Sequence, residues 1–451
     1  MIGLLAGELR RGWATWAGLA VVAAVASLSF STALAMGEAG LAEGGETLDA
    51  SMSFLSILLI LNIPAGAVVV AAVSRLAVDL HRSHYARWQL SGVSPAQTST
   101  VVLAQLAVVG FAAGSIGVVV SMPVVPAFLH AVFADDDSWW ADASIRPGLL
   151  TVAVVIPLTT LVVLGGGLRA ARSAGRTPPL SALRAPESEA KRMRWWRWLL
   201  LGVVVLAAGV GGALAPFRVE ERGTAISQFP LIPAYLTLIV ATAGPALSPL
   251  VLRAWTALLP ARASASWYLA RHQARYHLGR STASVTPLFV GTALLGGLMT
   301  MSATTGSAMS AAGMPGNFDL GIMQVLLLIG GPVLLGATGA AVVLFMSNRT
   351  QAKEQALLRA SGATGGVVVV TALWQAVVHV VTAVLLATTV IAGTALICAA
   401  ALGRFIPAVP VLDPGAATLL VTIGLVLTSA ATVVPALSRL RDPLASQLAA
   451  D

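Results

Sequence analysis

Two polar stretches organise the reading of this chain. They are LHRSHYARWQLSGVSPAQ at Leu80–Gln97 and TQAKEQALLRASGATGG at Thr350–Gly366. At an offset of about 270 residues, Ala86 meets Ala356, Ser91 meets Ser361 and Gly92 meets Gly362. The match runs on into the apolar segment that follows, pairing Leu103 with Leu373, Gln105 with Gln375 and Val108 with Val378. The capping chemistry repeats as well. Each stretch reads as a short helix, Leu80–Ser91 and Gln351–Ser361, that stops at a glycine able to take the left-handed C′ conformation. Ser94 and Thr364 are good N-caps for the next helix, with Pro95 at its first position in the first copy.

Outward from these stretches the chain is almost entirely apolar. Of its 451 residues, 57% are hydrophobic and 10% charged, and the mean hydropathy is +0.86. An average soluble domain carries about 25% charged residues, so this composition excludes a water-soluble enzyme and a disordered chain. A bilayer core needs about 20 apolar residues per spanning helix. Ten runs meet that need: Trp13–Ala35, Met52–Ser74, Thr100–Val125, Leu149–Leu168, Trp198–Leu214, Leu231–Leu252, Val285–Thr305, Gly321–Met346, Val367–Ile397 and Ala416–Leu437. They are too long, and alternate too poorly, for barrel strands. Ala33-Leu34-Ala35 has the form of a signal-cleavage site, but its apolar run is longer than a signal h-region.

Orientation follows from the basic residues. With the N-terminus inside, inner segments hold 23 of the 27 Lys and Arg, and 7 of the 19 acids, giving 23 − 7 = +16. The outer loops then carry 4 − 12 = −8, and the sum recovers the formal +8. Membrane topology accounts for the basic balance without a nucleic-acid partner, and ten spans put both termini in the cytoplasm. Ser264–Arg280 reads as an amphipathic helix on the inner leaflet before the seventh span, facing membrane lipids. Outside, DDDSWW at Asp135–Trp140 reads as an acidic turn with Trp anchors.

The ends of the repeat correspond at an offset of 264: Leu5-Ala6 with Leu269-Ala270 before each first span, and Pro179-Leu180 with Pro443-Leu444 after each fourth. The expected fold is an all-α membrane protein of ten helices in a 4+2+4 arrangement: a four-helix unit at 1–185, a two-helix linker at 186–262 and a second four-helix unit at 263–451. Both units start inside, so the repeats are parallel.

Chemistry is sparse. The lysines, Lys191 and Lys353, both follow alanine, so no Walker A loop is present and the chain is not itself an ATPase of that type. One cysteine, Cys398, excludes an internal disulfide. His81 and His84 lie i,i+3 apart without a third ligand; they read as a solvated loop face, and no metal site is expected. No Asp, Glu, Lys or Arg stands in the middle of a span, which counts against an ion-driven secondary carrier. Asn62 (beside Pro64), Gln105, Gln375 and His379 are the polar candidates inside the spans. Each reads either as a polar spot on a translocation path or as a helix-packing contact, with a local break expected at Asn62–Pro64.

The loop KEQALLRASGA at Lys353–Ala363 resembles the FtsX-like permease family of ABC transporters. Glu354, Leu357, Leu358, Arg359, Gly362 and Ala363 match the family's acidic residue and Leu-Arg-Ala-x-Gly-Ala pattern between the second and third helices of its unit. In the first copy Gly92 is kept, while His84 stands in the acidic position and Gln89 in the arginine position. The unit ends PLSALR, Pro179–Arg184, and RDPLASQL, Arg441–Leu448, are similar to the family's terminus. The ten-helix layout is similar to the bacitracin-detoxification branch, but the loop Gly306–Leu320 has no room for that branch's extracellular domain. Met36–Ser51 is likewise too short for the domain that other branches carry after the first helix.

The resemblance implies a bacterial plasma-membrane permease with no cofactor of its own. Two copies of a separate ATPase, supplying ATP and Mg chemistry, would serve one copy of this chain. The docking residues it implies are Arg87, Trp88, Leu90 and Gly92 in the first copy, and Glu354, Leu357, Leu358, Arg359 and Gly362 in the second. The implied cargo is hydrophobic or amphipathic: an antimicrobial, a peptide or a lipid. A non-transporting mechanotransmission subunit and a secondary carrier are the competing readings.

Overall fold

The computed structural model describes residues 13–44, 46–133, 145–175, 195–260, 264–276, 278–313 and 322–412, with seven further helical positions between Thr418 and Leu437. Among the described residues there is no strand. The helices are α1 (Trp13–Glu43), α2 (Glu46–Leu80), the short α3 (Arg82–Leu90), α4 (Pro95–Val132), α5 (Leu149–Gly175), α6 (Trp195–Val204), α7 (Ile232–Leu258), α8 (Ala265–Tyr276), α9 (Leu278–Ala311), α10 (Ile322–Ala360) and α11 (Gly365–Leu402). α6 runs directly into a π-helical turn at Val205–Ala213.

Eight of the described helices are long and apolar enough to cross a membrane, and Trp198–Ala213 is a shorter apolar helix. This is an all-α, multi-pass membrane protein. The expected tenth span, Ala416–Leu437, falls mostly outside the described residues. So do the expected domain boundaries at 185/186 and 262/263, and the acidic turn Asp135–Trp140.

Most helices run past the C-terminal ends of the apolar runs, because polar flanks continue the backbone hydrogen bonding past the hydrocarbon. α2 passes through Pro64 without stopping, which corrects the expected break there. Spanning helices tolerate proline where neighbouring helices take up the freed backbone groups.

Packing is led by two helices. In α9, 78% of the most apolar stretch is buried, and in α1 67%, against 22% in α5. α1 packs on α2 and α4, and α4 and α2 pack on α5. α9 packs on α10 and α11 in the same way. α10 also lies against α1 and α2, and α9 against α2. α7 bridges α11, α9 and the π-helical turn. Close approach comes from small residues, as expected where no hydrophobic force drives helices together. At the α1–α4 crossing a Cβ on Gly117 would lie 2.5 Å from the Ala24 carbonyl oxygen, and the Ser27 hydroxyl donates to the Gly114 carbonyl at 2.9 Å.

Candidate functional site

The two turns quoted first lie after α2 and after α10. In the first, α2 ends at Leu80 and the chain hinges at His81. The His81 ring is held 2.8 Å from the Ala77 carbonyl and stacks on Trp16 at 5.5 Å between centroids. Tyr85, fully buried, lies 6.3 Å from His81 and 5.6 Å from Trp88. His81 is therefore buried in an aromatic bed rather than on a solvated loop face. Its ring faces His84 at 6.3 Å, and no group of three metal-ligating side chains occurs among the described residues.

The short helix α3 ends in a Schellman motif. The Gly92 N–H donates to the Gln89 carbonyl at 3.1 Å and the Val93 N–H to the Trp88 carbonyl at 3.0 Å. The second turn repeats this bond for bond. The Gly362 N–H donates to the Arg359 carbonyl and the Ala363 N–H to the Leu358 carbonyl, both at 3.0 Å. Ser91 and Ser361 return their hydroxyls to the Trp88 and Leu358 carbonyls at 2.9 and 2.8 Å. Gly92 and Gly362 both have φ of +97°, in the left-handed region that glycine occupies without a Cβ clash.

Side-chain exposure matches along the same register. From Arg87 to Ser94 and from Leu357 to Thr364 the order is the same, position by position. Arg87, Leu90 and Leu357 are exposed, and Trp88, Leu358 and Arg359 are half-buried. Each turn thus presents an arginine and an apolar side chain on a backbone of fixed shape. Glu354 is helical, and its side chain lies outside the described set.

Two expectations are corrected at these turns. The segment Gln351–Ser361 is not a separate short helix; it is the last part of the 39-residue α10. Its sequence, QAKEQALLRA, contains good helix formers and no counterpart of the His81 hinge. Ser94 caps α4 with a reciprocal capping box, its hydroxyl accepting from the Gln97 N–H at 3.2 Å while Gln97 Oε1 accepts from the Ser94 N–H at 3.0 Å. Thr364 stands at the N-cap of α11 with no side-chain cap bond. Val367 replaces the glutamine three residues on, so the reciprocal half is absent.

The polar span residues do not converge on one path. The Gln375 side-chain Nε2–H donates to the Gln273 side-chain Oε1 on α8, tying the amphipathic helix to α11. Trp267 of α8 meets Trp374 edge-on at 5.1 Å, and the Trp255 Nε1–H donates to Thr382 at 3.0 Å. Gln105, fully buried on α4, has no hydrogen-bond partner at either amide atom among the described residues. His379 is buried on α11. Asn62 donates to the Leu58 carbonyl at 2.8 Å, and its Oδ1 abuts Gly331 of α10 beside Ser29 of α1. It marks a helix crossing.

At the opposite end from the turns, Glu38 of α1 reaches the start of α5. It accepts from the N–H groups of Gly148 and Thr151 at 3.0 and 3.1 Å and from the Thr151 hydroxyl at 2.7 Å. A carboxylate at a helix N-terminus meets the positive end of the helix dipole and its unpaired N–H groups. Sequence reading missed this clamp because its partners lie more than 100 residues apart and Glu38 sits among other loop acids. Between α2, α7 and α9 there is a narrow crevice lined by residues including Pro64, Val68, Thr237, Leu238 and Leu294.

No protein-family model matches the chain, and no match was found among curated proteins. The functional reading rests on the residues and geometry above.

Proposed function

We propose that this chain is the membrane-spanning permease subunit of an ABC transporter, built in the FtsX-like manner and driven by a separate ATPase. The observation that carries this reading is the pair of turns with one backbone shape, one bonding pattern and one exposure pattern, both on the same side of the chain's proposed topology. A symmetric pair of sockets suits two copies of one ATPase per chain. In this reading the chain has ten spans in a 4+2+4 order, with units at 1–185 and 263–451 around a linker at 186–262, and both termini are cytoplasmic.

The mechanism follows from the packing. Arg87 and Arg359 offer charge for ATPase carboxylates, and Trp88, Leu90, Leu357 and Leu358 offer apolar surface for a groove. ATP-driven closure of the ATPase pair brings the turns together. Motion enters α2 and α10, which lie against each other and against α1, and reaches the far end of α1, where Glu38 grips α5. The apolar cleft between α2, α7 and α9 is open to rearrangement by the same motion. With short outer loops, a hydrophobic or amphipathic cargo would enter or leave within the bilayer.

The test is a pull-down. Arg87→Glu with Arg359→Glu should abolish capture of a Walker A ATPase while leaving the chain folded. Unchanged capture would overturn the docking assignment. Stimulation of the captured ATPase by a small amphiphile would separate transport from a purely signal-transmitting role.

A further inference from the structure

The junction of α7 and α8 brings three arginines together. Arg253 lies near the end of α7, and Arg271 and Arg275 lie one turn apart on α8. The sequence holds no Asp or Glu between Glu221 and Asp319. None of the three arginines pairs with a carboxylate among the described residues. Arg275 donates from Nε and Nη2 to the Thr256 hydroxyl at 3.1 and 2.7 Å, and from Nη2 to the Arg253 carbonyl at 2.9 Å. Arg271 donates from Nη1 to the Leu259 carbonyl at 3.3 Å, at the end of α7. The helix C-terminus carries about half a negative charge, which offsets only part of three cations. Burial, and then the neighbouring Arg271 and Arg253, lower the Arg275 pKa from its ordinary value. The Arg271 Nε is shielded from solvent and has no hydrogen-bond partner. The half-buried Arg271 guanidinium keeps donor capacity beyond its bond to Leu259.

We infer that Arg253, Arg271 and Arg275 form a binding site for the phosphate of an anionic phospholipid headgroup. The surroundings choose a lipid over a protein surface. On α7, Leu250 and Leu258 lie two turns apart and are 64% and 83% exposed. Arg253 stands three residues after Leu250, so an apolar stripe leads directly to the cations. Tyr268 and Tyr276 of α8 are exposed, as aromatic side chains are at a membrane interface. A phosphate seated on the arginines would lay its acyl chains along Leu250 and Leu258. The bound headgroup would bridge α7 to α8, and through Gln273 and Trp267 to the start of α11. The inference needs only that the chain sits in a bilayer; it does not depend on an ATPase partner.

The experiment uses the full chain purified in mild detergent. Its unfolding temperature is followed while phosphatidylglycerol, phosphatidylcholine or inorganic phosphate is added, and native mass spectrometry counts bound lipid. Phosphatidylglycerol should raise the unfolding temperature saturably, while phosphatidylcholine and inorganic phosphate should not. Arg253 has an exposed side chain that makes no hydrogen bond among the described residues, so Arg253→Gln should leave the lipid-free unfolding temperature unchanged. It should weaken phosphatidylglycerol binding about fivefold, as expected for one basic side chain at a lipid surface. Arg253→Lys should restore binding. Equal stabilisation by phosphatidylcholine, full stabilisation by inorganic phosphate alone, or unchanged phosphatidylglycerol affinity in Arg253→Gln would each overturn the site. Loss of ATPase capture by Arg253→Gln with lipid affinity intact would make the cluster a protein contact and overturn it too.

Discussion

The turn after α2 is set in a bed of aromatic rings, whereas the turn after α10 is the run-out of a 39-residue helix. The first is hinged at His81, packed through Trp16, Tyr85 and Trp88, and followed by a capping box. The second has none of these, yet its Schellman bonds fall on the same atoms. Backbone shape at the turn is set by the Ser-Gly pair and by left-handed glycine, not by what surrounds it. The supports beneath the turns differ while the backbone at the turns has the same form.

Five substitutions sharpen this contrast, and they are ordered by expected effect. Trp16→Ala removes the ring on which His81 stacks. It should cost about 3–5 kcal/mol, the usual range for a buried Trp→Ala. Thermal unfolding in detergent checks it, and a loss no larger than that of an exposed-residue control would show that the aromatic bed does not support the first turn. Gly92→Ala and Gly362→Ala should each cost about 1–2 kcal/mol, because an L residue is strained in the left-handed region. A Cβ at either glycine meets nothing within 4 Å, so the cost is backbone strain alone and should be equal in the two copies. Unequal values would break the equivalence of the turns. Ser94→Ala should cost about 1 kcal/mol, the usual worth of an N-cap, and Thr364→Ala almost nothing. The same unfolding assay reads both, and an equal loss at Thr364 would mean that its hydroxyl caps α11 after all.

Much of the fold was legible because the bilayer fixes helix length and forbids unsatisfied backbone. The apolar runs therefore announced the helices, and the polar flanks merely extended them. The left-handed glycines were legible too, since Ser-Gly before an N-cap residue leaves few ways to end a helix. What could not be read was tertiary. The His81 hinge depends on Trp16, some 65 residues earlier in the chain. The continuity of α10 depends on an absence of breaking residues, which a match in the loop obscures. The Glu38 clamp joins segments with no shared motif. Gln105 and Gln375 occupy matched positions, yet only Gln375 meets a partner, Gln273, so a repeated residue type did not imply a repeated contact. The arginines of α8 were read as an amphipathic face; their convergence on the end of α7 required the structure.

In the proposed mechanism energy enters through both turns, one ATPase at each. A photocrosslinking residue placed at Ser91, at Ser361 or at both tests it most directly, since both serines are exposed. Each single variant should give an adduct of one chain with one ATPase copy, and the double variant an adduct of one chain with two. No adduct, or an adduct at one turn only, would contradict the claim.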